Sequence, residues 1–323
     1  QFLEDAFEYD LDAVCDGKSL YIGGILQHIE AAGIHSGDSA AVFPPYKSSP
    51  QILEQMQAWA HKLAIALDTR GLMNIQFAAK DGLLYLIEVN PRASRTIPFI
   101  AKTSGVDLIE AAVRVWEGED LVSQGLVKTV GGRTMGTCRT GWAVKEAVFS
   151  FDRFSNVDPA LGPEMRSTGE SIGLGKTFGE AFAKSQISAG NKLPVAGKVF
   201  VSVNKKDRAT ILPVVQKLVG LGFAVAATKG TAGFLFEQGI LCEVMQKVHE
   251  GRPNIIDYLR SRQIALVINT RMGYQAHASD DEIRSIAMRL KIPYTTTTSA
   301  AIAAVQAIEY LQKKQVVVRS LSS

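Results

Sequence analysis

Two hydrophobic periods divide the chain. Residues 1–45 alternate short apolar runs with turns, as LDAVCDG, LYIGGI, a loop around AAGIHSGDSA and the Pro44-Pro45 break, a β-rich pattern with long loops. From Ser49 a helical period takes over, with Ile52, Met56, Trp59, Leu63 and Leu67 on one face. Ser49 and Pro50 supply an N-cap and a first-turn proline, which predicts a helix to about Leu67. The runs GLMNIQFAAK and GLLYLIEVNPR are joined by Lys80-Asp81-Gly82. Asp-Gly is a strong hairpin signal, so the two runs are expected to pair antiparallel. Helices follow over 97–104 and 107–117, and the Gly-rich stretch 118–141 gives no readable element.

The run VDPALGPEMRSTGESIGLGKT holds two prolines and four glycines, and leads into one helical segment, FGEAFAKSQISA, before Gly190-Asn191-Lys192. A boundary is expected there, separating residues 1–189 from 190–323. From Lys198 strands and helices alternate: KVFVSV, a helix from Asp207, FAVAAT, a helix from Thr231, LCEVMQKV, a helix near Ile255, IALVINT, a helix from Asp280, PYTTT, and a helix from Ser299. That alternation predicts a parallel sheet covered on both faces. The fold class is therefore α/β: an α+β first part followed by a doubly wound parallel α/β domain. The stripe Ile302, Val305, Ile308 and Leu311 reads as core packing.

Composition narrows the function. With 323 residues, 46% hydrophobic and 21% charged, the chain is long enough for about two globular domains. Thirty-five Lys and Arg against 32 Asp and Glu leave a net charge of +3, so no polyanion-binding surface is announced and nucleic acid is not an expected partner. Cys15, Cys138 and Cys242 match neither a disulfide framework nor a paired metal spacing, which points to a reducing, cytoplasmic location. No apolar run reaches the roughly 18 residues of a membrane helix and no leader opens the chain, so neither membrane nor export is expected. The opening QFLEDAFEYDLDAVCDG reads as a strand already in progress, as in a fragment of a larger protein.

Candidate chemistry concentrates in two places. In LYLIEVNPR a strand would turn Glu88 and Asn90 to one face and Ile87 and Val89 into the core. Gln76, the polar interruption in MNIQFAA, could be brought beside Glu88 by the Lys-Asp-Gly turn. Three oxygen donors on adjoining strands suit Mg²⁺. Arg92 and Arg95, just beyond the strand, add positive charge able to clamp phosphate or carboxylate. A solvated surface strand is the plain alternative. Gly173-Leu174-Gly175-Lys176-Thr177 imitates a phosphate loop, but Glu170 stands where that motif needs glycine and no apolar strand precedes it. Those glycines are expected to permit a turn, with Thr177 capping the next helix.

The second place follows from doubly wound topology, where ligands bind beyond the carboxyl ends of the strands. Those ends carry Thr228-Lys229-Gly230-Thr231 and Asn269-Thr270-Arg271, with Lys247 and either Lys206 or Arg208 nearby. Hydroxyls, an amide, glycine-turn N–H groups and cations suit a phosphate monoester. Ordinary turn and cap residues remain the alternative.

Gln76 followed by LIEVNPRASRTIPF resembles the C-terminal part of an ATP-grasp fold, and NPRASRTIPF resembles the large chain of carbamoyl-phosphate synthase. The resemblance continues through AAGIHSGDSA, VDPALGPEMRSTGE and KVHEGRP, and the last domain is similar to the methylglyoxal-synthase-like regulatory domain of that family. It implies the second ATP-grasp unit, which phosphorylates carbamate with ATP and Mg²⁺ or Mn²⁺ for pyrimidine and arginine biosynthesis. By the same resemblance Gln76, Glu88 and Asn90 are metal ligands, the first two also touching nucleotide, and Arg92 and Arg95 face carbamate and the transferred phosphoryl group, with Asn90 beside them as a catalytic residue. Gln1, Leu3 and Glu8 would hold adenine and ribose, and Gly33, Ile34, His35 and Ser36 the nucleotide's flank. Glu30, Asp38 and Glu146 would meet ornithine. Lys206 or Arg208, with Thr228, Thr231, Lys247 and Asn269, would bind a nucleotide effector: uridine monophosphate first, then inosine monophosphate or N-acetylglutamate. No acidic residue in KGTAGF or INTRMG suits the aspartate base of the related synthases, so this domain is expected to bind without chemistry. Implied partners are the glutaminase small chain and the preceding part of the large chain, without which the fragment is expected to be inactive. The rival readings are another ATP-grasp carboxylate ligase or carboxylase, and a stand-alone nucleotide-sensing module.

Overall fold

The structure, a computed structural model, describes residues 3, 6–30, 32–149, 161–270, 278–318 and 320. It divides into two compact units: Gln1–Lys145 with Leu174–Lys176 and Val318–Ser323, and Glu146–Gly173 with Thr177–Val317.

In chain order the first unit contains β1 (Phe7–Asp16), β2 (Leu20–His28), β3 (Ala41–Phe43), α1 (Pro50–Ala66), β4 (Arg70–Lys80), β5 (Leu83–Asn90), α2 (Ile97–Ser104), α3 (Leu108–Trp116), β6 (Arg133–Met135) and the start of β7 (Trp142–Val148). Its strands run in the order β5-β4-β1-β2-β3-β7, and β6 joins β2 from the side. β1 is central, antiparallel to β2 and to β4. Its alternation decides the layers: Tyr9, Leu11, Ala13 and Cys15 pack with Ile52, Met56, Ala60 and Ala64 of α1, while Glu8, Asp10 and Asp12 take the opposite face. On that opposite face α2 and α3 come so close that a Cβ on Gly24 would lie 2.7 Å from the Ile100 side chain, and one on Gly23 would lie 2.6 Å from Leu108.

Local signals act as the sequence predicts. Ser49 Oγ accepts from the Ile52 amide at 3.3 Å and starts α1. Asp81 and Gly82 both take positive φ, 51° and 77°, which closes the β4–β5 hairpin. One expectation fails: Ile87 is 49% exposed instead of buried. Gln76 pairs with Glu88 and Phe77 with Leu86, so Ile87 is the extra residue of a bulge and the face alternation breaks there. The Gly-rich stretch 118–141 wraps the β1–β2 turn, with the Leu121 amide on Asp16 at 2.9 Å and the Gly131 amide on Ser19 at 3.0 Å.

β8 (Gly169–Gly175) and α4 (Phe178–Ser188) precede the doubly wound part. The imitation phosphate loop is corrected here: Gly173 and Gly175 do not make the expected turn but lie in a strand, while Thr177 caps α4 as expected, through the Glu180 amide at 3.2 Å. The C-terminal unit continues with β9 (Lys198–Ser202), α5 (Arg208–Gly220), β10 (Ala224–Thr228), α6 (Lys229–Glu237), β11 (Glu243–Met245), α7 (Ile255–Arg260), β12 (Leu266–Asn269), α8 (Ala278–Arg289), β13 (Tyr294–Thr295) and α9 (Thr298–Lys313). The strand order is β11-β10-β9-β12-β13 and every pair is parallel. Val305 and Ile308 are buried in one face of this core and Ile302 packs against it. α4 belongs to the same unit because it packs on α9, where a Cβ on Gly179 would meet the Gln306 carbonyl at 2.6 Å.

A Cβ on Gly173 would lie 2.0 Å from the Ala181 carbonyl oxygen and 2.3 Å from the Ser185 amide, both helix backbone that cannot turn aside. Gly173→Ala is therefore expected to destabilise by about 1–3 kcal/mol. A lower urea midpoint at unchanged slope checks it.

Candidate functional site

Register across three strands builds the first site. Asp10 of β1 lies opposite Gln76 of β4, which lies opposite Glu88 of β5; one step along, Asp12, Asn74 and Asn90 form a parallel row. Opposed residues share a face, so six polar side chains are gathered where composition gave no warning. Gln76 does reach Glu88 through the hairpin, as the turn predicted. Asn90 Nδ2 donates to Glu88 Oε1 at 2.7 Å, and Gln76 Nε2 donates to Ser36 Oγ at 3.1 Å. Glu88, Arg92 and Arg95 are exposed and Asn90 is half-buried, at the end of an edge strand.

The donors that could hold a divalent cation are thus one exposed carboxylate and two amides. Among the described residues no group of three His, Cys, Asp or Glu forms a metal site. A set with so few charges does not make a closed cage. It fits a hard cation that keeps most of its shell in phosphate oxygens and water.

Beneath this row the charges are buried. Asp10 is 2% exposed and Asp12 fully buried. His28 Nε2 and Asp10 Oδ2 are 2.8 Å apart, and His28 Nδ1 lies 3.5 Å from Glu8 Oε2. Burial works against the imidazolium, yet the charge and hydrogen bond of Asp10, with Glu8 behind them, raise the His28 pKa to about 9. Burial also works against Asp10, but His28 and Lys145 hold its carboxyl below the usual value. Among the described residues no cation is hydrogen-bonded to Asp12. Burial lifts it to about 6 against the pull of hydroxyl donors on Ser94 and Thr96. Glu30 is lifted by burial to about 7, with His28 opposing.

The flanking loop is held from several sides. Glu8 Oε1 accepts from the Gly33 amide at 3.0 Å, His35 Nδ1 accepts from the Gly37 amide at 3.0 Å, and buried Lys145 donates to the Ser36 carbonyl at 2.8 Å. His35 therefore folds the loop around Ile34, which is itself buried. Glu8 is engaged by His28 and Gly33 on the rim of the polar face. Leu3 is half-buried, and Gln1 lies outside the described residues. Asp38 is buried beside this loop, and Glu146, in the other unit, accepts from Gln186 Nε2 at 2.6 Å. The sequence reading missed Asp10, Asp12, His28, Asn74 and Lys145. The signal was present in the alternation Glu8, Asp10, Asp12 along FEYDLD.

The second site is a cavity of about 630 Å³ in the C-terminal unit, lined among others by Thr228, Thr231, Lys247 and Asn269. Thr228 and Asn269 end β10 and β12, Lys247 lies just after β11, and Thr231 lies in the first turn of α6, as doubly wound topology requires. Thr228 precedes α6 without capping it by its side chain, so the helix N-terminus opens toward the cavity. Lys205 and Arg208 line the wall and Lys206 does not. The reason is the 3-10 turn Lys205–Asp207: with three residues per turn, positions 205 and 208 share a side and 206 points elsewhere. Among the described residues, buried Arg208 Nε has no hydrogen-bond partner. Arg271 lies outside the described residues. An acidic group also lines the cavity: Asp280 accepts from Asn269 Nδ2 at 3.2 Å. It sits in the first turn of α8, a position the search of KGTAGF and INTRMG did not include.

Two family models match: the carbamoyl-phosphate synthase L chain ATP-binding domain over residues 2–124, and the MGS-like domain over residues 210–296. The carbamoyl phosphate synthase large chain of Methanosarcina barkeri is 42% identical over 322 residues, 99% of this chain and 79% of its own length. That of Pasteurella multocida is 46% identical over 316 residues, 98% of this chain and 29% of its own, and that of Rhizobium meliloti is 48% identical over 322 residues, 100% and 28%. The chain thus spans under a third of the length of these two bacterial relatives. Among the described residues no helix is long and apolar enough to cross a membrane.

His28 gives a stability test. Its raised pKa means that its contribution is complete below about 6.5 and is lost as pH rises through about 9. His28→Leu takes from buried Asp10 the cation hydrogen-bonded to it and is expected to cost about 3–5 kcal/mol at pH 6. Chemical denaturation at a series of pH values should show the gap between variant and wild type narrowing above pH 8.

Proposed function

This chain belongs to the carbamoyl phosphate synthase large-chain family, and from that premise we propose that its polar sheet face is the site where ATP phosphorylates carbamate. The supporting observation is the row Gln76–Glu88 with Asn90, placed by register at the end of β5 directly before Arg92 and Arg95. Carbamate oxygen attacks the γ-phosphorus, the bond to the bridging oxygen breaks, and ADP leaves with carbamoyl phosphate as the other product. Arg92 and Arg95 stabilise the charge on the equatorial oxygens. Mg²⁺ or Mn²⁺ on Glu88, Asn90 and Gln76 would neutralise the nucleotide phosphates. Glu8 and the Gly33-to-Ser36 loop border the nucleotide, with Leu3 on its adenine side. The rest of a longer large chain and a glutaminase small chain would supply carbamate, in the cytoplasm, for pyrimidine and arginine synthesis. We propose a functional boundary near residue 190, although the compact units divide earlier, at Lys145–Glu146, because α4 packs with α9.

The cavity of the last domain is proposed to bind a nucleoside monophosphate, uridine monophosphate first, then inosine monophosphate. Its phosphate would lie at the α6 N-terminus among Thr228, Thr231, Lys247 and Arg208. Of Lys206 and Arg208, Arg208 is the proposed cation because it lines the cavity. Such an effector acts only through different affinity for two states of the enzyme. Ornithine is the candidate for Glu30 and Asp38 of the first unit; N-acetylglutamate competes for the cavity.

Two outcomes test these assignments. In the complete large chain, Glu88→Gln and Arg95→Ala are each expected to slow carbamate-dependent ADP formation by about 10²–10³-fold; rates within a few-fold of wild type would remove the site. Uridine monophosphate at about 100 times its dissociation constant should stabilise the last domain by about 2.7 kcal/mol. Thermal melts should show that shift and its loss in Thr228→Ala and Lys247→Ala.

A further inference from the structure

We propose that Asp12 is a positioning residue for phosphoryl transfer, holding the segment that carries Arg92 and Arg95 from beneath; this rests on reading the polar face as the phosphorylation site. Asp12 lies in the central strand and is itself none of the residues assigned above to nucleotide, metal or carbamate; it shares a row with Asn74 and, beyond it, Asn90. Its Oδ1 accepts from Ser94 Oγ at 2.6 Å and from Asn74 Nδ2 at 2.9 Å, and its Oδ2 accepts from Thr96 Oγ1. Ser94 and Thr96 are also joined to each other at 2.8 Å. These are the residues on either side of Arg95. One carboxylate therefore fixes the backbone around that arginine to the middle of the sheet, leaving the exposed arginine only its side-chain torsions.

Two features mark this arrangement as one that stability alone would not favour. Thr96 is the N-cap residue of α2 but its side chain makes no capping bond, because the hydroxyl is turned to Asp12. A fully buried carboxylate with no cation among its hydrogen-bond partners is also costly, and an amide of the same shape would be cheaper to bury. What the charge provides is short, strong acceptor bonds to two hydroxyls at once. An asparagine offers only one such oxygen. A misplaced clamp of this kind is costly in rate, since small displacements of positioning groups cost up to about 10²-fold.

The test uses Asp12→Asn in the complete large chain with its glutaminase partner. The expected result is a kcat for carbamate-dependent ADP formation lowered roughly 10–100-fold, with KM for ATP within about twofold of wild type. The melting temperature at pH 8 should be unchanged or raised. In an Arg95→Ala background the same substitution should add no further loss, since Asp12 acts through that arginine. An active wild type with kcat unaffected by Asp12→Asn overturns the proposal, as does a full multiplicative loss in the Arg95→Ala background. Should Asp12→Asn not fold, Ser94→Ala with Thr96→Val decides: the same kcat loss supports the proposal and an unchanged kcat overturns it. Wild-type enzyme lacking carbamate-dependent ADP formation removes the functional reading itself.

Discussion

Two carboxylates are buried two residues apart in the central strand of the first unit, and their need for partners organises what surrounds them. A buried charge is tolerable only when paired or fully hydrogen-bonded. Asp10 draws His28 from β2, and Asp12 draws Asn74 from β4 and the hydroxyls of Ser94 and Thr96 from the loop before α2. Each tie crosses to a different element, so one strand locates β2, β4 and the arginine loop together. The apolar face of the same strand, packed on α1, supplies the burial that offsets the cost. Alternation along FEYDLD is thus both the structural and the chemical instruction.

The two candidate sites share a design. Each places its ligand-facing groups at strand ends or in the turns just beyond them, where rigid backbone fixes position and side chains remain accessible. In the first unit the accessible edge of the face carries Glu88 with amides, and Arg92 and Arg95 stand exposed on the adjoining loop, as suits a cation-bound nucleotide meeting a small anion. In the C-terminal unit the cavity has Lys205, Arg208 and Lys247 against Asp280, with a helix N-terminus opening on it, as suits a phosphate carried without metal. The difference in charge balance follows from the chemistry each would perform.

Much of the fold was legible because local rules agreed with tertiary ones. Ser49 before Pro50, Asp81-Gly82 and the strand–helix alternation after Lys198 each specify a structure without help from distant residues. Gln76 and Glu88 could be paired from turn length alone. The failures have one cause: they depend on contacts that no local pattern reports. Ile87 is exposed because a bulge shifts the register beside Gln76. Asp10 and Asp12 look like solvated strand residues until His28, Asn74 and Ser94 are seen to enclose them. Lys206 and Arg208 could not be separated until the 3-10 turn fixed which side faces the cavity. Asp280 was missed because the search for an acid stopped at the strand ends, while the helix that follows brings one back.

The central claim is that this sheet face transfers a phosphoryl group between ATP and carbamate, and running the step backward tests it most directly. The complete large chain, given ADP, carbamoyl phosphate and Mg²⁺, should form ATP without bicarbonate or glutamine, and Glu88→Gln should abolish it. Absence of ATP formation, or formation that persists undiminished in Glu88→Gln, would contradict the account.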